Sequence, residues 1–240
     1  MFRLLLSAIA ISTLLSNLSL SATRDGSYNI KEVPYGIEAL AQYRSDYRYR
    51  GFSLADNTID LQLSSLYAFS DTVDLSTATW YGTATGSGQF SEFGLMAELS
   101  KQLGQFNLGT SATYRGLSYS PLKSGLNLEA RAHWEINDQL DISIKGAYDT
   151  GAEGWYSDLS GNYFIPMNDD SYFDISLGCS AVNSYYDRDG LNDLFTKFTY
   201  TYNINQSISV SPYLGTSTLL DSADQGKDSL HGGLYFAVSF

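Results

Sequence analysis

The sequence lacks most of the features by which membrane and secreted proteins declare themselves. Past its N-terminal leader there is no uninterrupted apolar run of membrane-helix length, which excludes a helical membrane protein. The single cysteine, Cys179, excludes an intrachain disulfide. Only 4 prolines occur in 240 residues, so little interrupts extended backbone. Basic residues number 14 against 26 acidic ones, a net charge of −12, and nucleic acid is excluded as a partner because phosphate binding needs a basic face. Histidine is scarce too: His133 and His231 are the only two candidates for an imidazole base or metal ligand.

What the chain has in quantity is aromatic rings, 19 Tyr and 12 Phe, which favour strands and interfaces. The organising stretch is Ile37 to Arg50. Its odd positions (Ile37, Ala39, Ala41, Tyr43, Ser45, Tyr47, Tyr49) are mostly apolar or aromatic, and its even positions (Glu38, Leu40, Gln42, Arg44, Asp46, Arg48, Arg50) mostly charged or polar. This period of two predicts one long strand with different surroundings on its two faces. Ahead of it, Arg3, the apolar Leu4–Leu15 and the small residues Ser19, Ser21 and Ala22 form a signal peptide, expected at residues 1–22. Its removal makes the mature chain one unit more acidic. Residues 23–34 are polar and unpatterned, a short periplasmic tail before a domain at 35–240.

The alternation recurs along the chain. Ile59 to Phe69, Phe93 to Leu99, Phe106 to Tyr114, Leu126 to Trp134 and Leu140 to Tyr148 all place apolar residues on one face and polar ones on the other. Segments within 155–165, 173–181, 194–202, 208–214 and 234–240 continue it, for about twelve strands in all. Val73 to Thr83 is less regular, with Leu75 and Tyr81 on one face and Ala78 and Trp80 on the other, and a bulge would reconcile them. Gly51 to Asn57 reads as a turn. Joints such as Ser70–Thr72, Lys101–Gly104, Asn137–Asp138, Pro166–Asp169 and Asn203–Gln206 are short, whereas Gly82–Gln89, Gly116–Lys123, Val182–Asn192 and Leu219–Lys227 are longer. That alternation puts both termini at the short-turn end.

On the apolar face, aliphatic residues hold the middle of each strand and rings tend to hold the ends, which suits a bilayer with two interfaces and has no reason to occur in a sandwich core. The expected fold is therefore all-β: a closed antiparallel transmembrane β-barrel with up-and-down topology, an outer-membrane protein exported through the inner membrane. Closure follows because unpaired amides in hydrocarbon cost several kcal/mol each. Pro212 cannot donate to a ladder, and a bulge or local irregularity is expected there.

Ser45-Asp46-Tyr47-Arg48-Tyr49-Arg50-Gly51-Phe52-Ser53 resembles the first-strand signature of the TorF-type porin family of small Gram-negative barrels, Ser-x-Tyr-x-x-Arg-Gly-x-Ser. The following Leu54-Ala55-Asp56-Asn57 departs from that family's tail. The resemblance implies an outer-membrane location and a pore, and brings no substrate with it. Leu234 to Phe240 likewise resembles the Phe-terminated signal that such barrels present to their assembly machinery.

Parity assigns to the inside the bases Arg44, Arg48, Arg50, Arg115, Arg131, Lys145 and Lys197 and the acids Glu38, Asp46, Asp60, Glu92, Glu98, Glu129, Glu135, Asp141, Asp149, Asp158, Asp174 and Asp193. Charges on alternate residues suit a wet lumen. Arg44, Arg48 and Arg50 would form a column facing acids on other strands, and a pore-lining set of these and Glu38, Asp46, Asp60, Glu92, Glu98, Arg115, Glu129, Arg131 and Glu135 would sort small hydrophilic solutes or ions by charge, with weak cation preference. The alternatives are a salt-bridged plug in a non-conducting structural or adhesive barrel and, as a rival class, an outer-membrane hydrolase. His133 has no Ser two residues away on its own face and points inward at the short-turn end, so no enzyme is expected. His133 reads as a lone lumen histidine and Asp187 to Asp193 as a solvated acidic loop, so no metal or cofactor is expected. Cys179 falls on the outer face. Bilayer lipid is the expected partner outside, and the expected oligomeric state is monomer.

Overall fold

The computed structural model describes residues 35–86, 88–220 and 229–240. The signal peptide expected at 1–22, the tail expected at 23–34 and most of the 219–227 joint lie outside them. Twelve strands follow one another: β1 (Tyr35–Tyr49), β2 (Phe52–Ser70), β3 (Val73–Ala84), β4 (Ser91–Leu103), β5 (Phe106–Ser118), β6 (Gly125–Glu135), β7 (Leu140–Asp149), β8 (Gly154–Asn168), β9 (Ser171–Tyr185), β10 (Arg188–Asn203), β11 (Ile208–Leu219) and β12 (Ser229–Ser239). Each pairs antiparallel with its sequence neighbours, and β1 pairs with β12 through Glu38↔Ser239 to Arg44↔Gly233, which closes the ring.

The alternation read from the sequence is the inside–outside alternation of this wall. Leu61, Leu63, Leu95, Leu128, Leu159 and Leu177 stand exposed on the outside. Glu38, Gln42, Asp60, Gln62, Glu92, Glu98, Arg131 and Asp158 are buried on the inside. A soluble protein has the reverse distribution; this one suits a hydrocarbon surround and a polar interior. Outside rings collect near the two ends. Tyr148 and Trp155 touch at 5.2 Å toward the long-loop end, and toward the other Phe106 stacks on Trp134 at 5.8 Å and Phe173 meets Tyr200 at a tilt, 5.0 Å apart.

Three details differ from the sequence reading. β3 needs no bulge: its register with β4 is unbroken from Val73↔Lys101 to Thr83↔Ser91. Trp80 simply points inward, and it lies so flat on the wall that a Cβ on Gly94 would collide with its ring. Pro212 sits in an equally unbroken register with β12, and on its other side the β10 ladder skips from Thr199↔Tyr213 to Tyr202↔Val210 without a shift. One missing donor is absorbed by a gap in a single ladder, with Thr201 and Ser211 hydroxyls bonding across it at 2.9 Å. Finally, the strands run further than expected at the long-loop end. β1 and β2 are joined by Arg50-Gly51 alone and β9 and β10 by Tyr186-Asp187, so the turn expected over 51–57 and the loop expected over 182–192 are largely strand. Both central residues of the first turn have positive φ, 52° and 80°, as a type I′ hairpin requires.

Replacement of Leu159, half exposed at mid-wall, by Arg is expected to cost roughly 2–4 kcal/mol of unfolding free energy in lipid vesicles. Its inward neighbour Ser160→Arg, placed beside the interior cavity, is expected to cost less than half as much. Urea unfolding followed by tryptophan fluorescence reads both; equal costs would contradict an apolar surround.

Candidate functional site

The interior is organised by a segment that leaves the wall. β1 pairs with β12 only as far as Arg44↔Gly233, and β2 with β3 only from Thr58↔Ala84. In the sheet ladders, among the described residues, 46–56 pair only with each other, while Asn57 O still accepts from Thr85 N at 2.6 Å. Two features bend this hairpin. Asn57 has a positive φ of 52°, and the register slips by one between Tyr47↔Ala55 and Arg48↔Ser53, which leaves Leu54 as an extra residue. The resulting arm folds across the long-loop mouth. Its Tyr47 and Leu54 pack with Phe90 and Leu122, while Phe52 touches Tyr185 and Tyr186 on the far side, and the Arg188 guanidinium lies 3.7 Å over the Phe52 ring. Gly51 is needed at the tip. Its φ is 80°, and a Cβ there would meet Asn192 Nδ2 at 3.0 Å and Leu219 at 3.1 Å.

Beneath the arm the interior charges are mostly paired. Arg44 donates from Nε to Asp60 Oδ2 at 2.8 Å, with its Nη2 in ion-pair contact with Oδ1 at 2.6 Å. Arg115 grips Glu92 with two bonds at 2.7 and 3.0 Å, and Glu92 also accepts from Tyr47 OH at 2.7 Å and Trp80 Nε1 at 2.6 Å. Arg131 donates to Glu98 at 2.6 Å and Lys145 lies 3.0 Å from Asp158. Such pairs hold their side chains against the wall, because removing one partner strands a buried charge. Arg50 crosses the barrel: Asn127 Oδ1 accepts from Nη2 at 2.7 Å and Tyr185 OH from Nη1 at 3.1 Å, with Asp149 at 3.5 Å and Glu129 at 3.8 Å.

The short-turn end is different. Glu38, Glu135, Asp141 and Asp174 sit there, and among the described residues none has an Arg or Lys within 4 Å. Asp141 accepts from Asn162 Nδ2 at 2.7 Å and has His133 Nδ1 at 3.8 Å; Glu38 accepts from Ser239 Oγ at 3.3 Å. A cavity of about 300 Å³ extends from the turn at 137–140, at this acidic end, up to Arg48, Arg50 and Gly51 beneath the arm. Among the described residues no group of His, Cys, Asp or Glu is placed to hold a metal.

The residues singled out from the sequence are therefore distributed as follows. Glu38, Arg44, Asp60, Glu92, Glu98, Arg115, Glu129, Arg131 and Glu135 project inward from the wall. Arg48 and Asp46 belong to the arm and pair with each other at 2.9 Å, and Arg50 lies at its tip. All three arginines line the cavity, but the expected column facing acids on other strands is broken at Arg48, which pairs with Asp46 of its own strand, because parity predicts a face only while a strand stays in the wall. For the same reason Tyr47, expected outside, is buried inside. Phe195 and Asn192 are interior residues the sequence reading passed over, and Tyr156 and Tyr185 lie inside with them; Asn192 is turned in by a register shift between Leu191 and Leu194. The segment 187–193 is a tight hairpin in which Asp189 Oδ1 accepts from Ser184 N at 2.7 Å, not an open acidic loop.

No protein-family model matches the chain, and no curated protein matches it by sequence. Solved structures do match. A KdgM porin in complex with disordered oligogalacturonate is similar at a TM-score of 0.58 and 12% identity, over 85% of this chain and 99% of that one. An outer-membrane channel from Pseudomonas putida F1 gives 0.60 and 12% over 86% and 95%. Outer-membrane phospholipase A from Escherichia coli gives 0.51 and 11% over 85% and 89%. At these identities the likeness is one of fold, and a fold shared by channels and a hydrolase leaves function to the interior.

Tyr47→Phe removes a hydrogen bond to a charged acceptor, worth roughly 1.5–3 kcal/mol. Hydrogen exchange at residues 45–57 is expected to accelerate at least tenfold while the wall strands β5 to β9 stay protected. Unchanged exchange in the arm would contradict the anchoring role given to Tyr47.

Proposed function

We propose that this chain is an outer-membrane, porin-like channel for passive diffusion of small hydrophilic solutes or ions, held narrow at its long-loop mouth by the β1–β2 arm. The observation that carries the reading is the cavity running from the short-turn end to the arm, lined by charged groups that an apolar-coated barrel would otherwise bury at a cost of several kcal/mol per ion. The fold it shares with KdgM and the Pseudomonas channel supports the reading, as does the resemblance of Ser45–Ser53 to the TorF-type signature. On it, residues 1–22 direct export, residues 234–240 serve assembly, and lipid covers the apolar outside.

Charge is distributed unevenly along the passage. Toward the arm, the arginines are matched by carboxylates; at the short-turn end four carboxylates have no Arg or Lys within 4 Å among the described residues. An unmatched acidic end raises the local concentration of cations and lowers that of anions. The channel then prefers cations. A second reading, a non-conducting barrel, is favoured by the arm alone, whose aromatic contacts fill the long-loop mouth.

Planar-bilayer recording of purified protein separates these readings, with stable current steps expected. Under a tenfold KCl gradient the reversal potential is expected to have the sign of K⁺ preference, and Glu38→Gln, Asp141→Asn and Asp174→Asn together are expected to lower the K⁺/Cl⁻ permeability ratio at least twofold. Silence would favour the non-conducting barrel, and anion preference would overturn the electrostatic argument.

A further inference from the structure

The socket that grips Arg50 belongs to the wall and not to the arm. Asn127 and Glu129 come from β6, Asp149 from β7, Tyr156 from β8 and Tyr185 from β9. It is built without help from its occupant. Asp149 Oδ1 accepts from the Gly151 and Ala152 amides at 2.8 and 3.3 Å, and its Oδ2 from Tyr185 OH at 3.0 Å. The guanidinium lies 4.5 Å from the Tyr156 ring centre and 5.5 Å from that of Tyr185.

The socket holds more negative charge than Arg50 neutralises. Among the described residues, Glu129 and Asp149 each have Arg50 as their one basic partner within 4 Å. The Glu129 side chain is 9% exposed, and its Oε1 is buried with no hydrogen-bond partner. Two carboxylates, an amide oxygen and two ring faces around one planar cation make a recognition site for guanidinium or primary ammonium, since carboxylates accept its fork of N–H donors and rings favour its face. The arm, whose ladder partners over 46–56 are all its own, can withdraw without breaking the wall ladders, giving up the bond from Asn192 Nδ2 to Arg50 O.

We infer that this socket is a binding site of the pore for guanidinium- or ammonium-bearing solutes, with Arg50 as its resident occupant. The inference rests on the channel reading for its physiological sense, though not for its test. A solute of this class arriving at the long-loop mouth displaces Arg50, and the displaced arm widens the passage.

Agmatine, a guanidinium on an alkyl chain, is the probe. Calorimetric titration of detergent-purified Arg50→Ala protein, its folding checked by heat-modifiable gel migration, is expected to give binding at least tenfold tighter than to the unmodified protein. Adding Glu129→Gln and Asp149→Asn is expected to abolish it. Equal affinity for the unmodified protein and Arg50→Ala, or binding that survives loss of both carboxylates, would overturn the site. The unmodified protein supplies a second measurement that does not depend on any variant folding: proteolysis within residues 45–57 is expected to accelerate at least threefold in millimolar agmatine and not in equimolar KCl, and an unchanged rate would overturn the inference. The two readings fail separately, since agmatine binding without current in bilayers sinks the channel and leaves the site, whereas current without agmatine binding does the opposite.

Discussion

Everything in this structure depends on backbone hydrogen bonds having to be satisfied within a ring. A sheet coated with leucine and aromatic side chains cannot leave an open edge in hydrocarbon, so β1 must meet β12, and it does so over seven residue pairs from Glu38↔Ser239 to Arg44↔Gly233. Beyond Arg44 that obligation lapses. The chain continues for another hairpin's length, and its ladder partners lie within the hairpin itself. Freed from the wall, the hairpin is placed by its side chains, and these favour the inside, where Glu92, Asn127 and Asp149 offer partners that bulk water would otherwise have to replace.

The interior then divides by height. Near the arm, guanidinium and carboxylate groups neutralise one another in close pairs, and rings from the arm lie flat on them, with Arg44 3.5 Å from the Tyr47 ring and Arg115 3.5 Å from that of Tyr49. Such pairs are locally neutral, and the surplus of negative charge in this tier lies in the socket of Glu129 and Asp149 around Arg50. At the short-turn end the carboxylates stand apart, held by amides and hydroxyls such as Asn162, Ser176 and Ser239. One end resembles a filled core, the other a charged vestibule. The barrel fold itself does not dictate that asymmetry; it comes from which strand positions carry bases.

Much of this was legible in the sequence, and the limits have physical causes. Twelve strands, their order, the ring closure and the inside–outside assignment of Asp60, Glu92, Glu98, Arg115 and Arg131 follow from a period of two, because each residue in a wall strand has only two directions to face. The partners were not legible. Arg131 faces Glu98 two strands away and Arg50 crosses to β6 and β7, and no local pattern encodes a contact across a lumen. The arm was missed because Tyr47, Tyr49 and Arg50 keep the alternation after the strand has left the wall. The residues resembling the TorF-type signature, Ser45 to Ser53, turn out to be the arm itself, and Tyr47 to Gly51 line the cavity from the arm and not from the wall. Trp80 read as an irregularity because an inward ring breaks the polar pattern, yet Gly94 gives it a flat place on the wall.

The central claim is that a self-paired hairpin narrows one mouth of the proposed channel. Its most direct test is single-channel conductance of a barrel in which residues 46–56 are replaced by Asn-Gly, a two-residue turn that joins the wall strands at the height where their neighbours' ladders end. Conductance several-fold above that of the intact chain is the predicted result, with folding and gel migration retained. A shortened barrel conducting no more than the intact one would contradict the account, because the constriction would then lie in the wall and not in the arm.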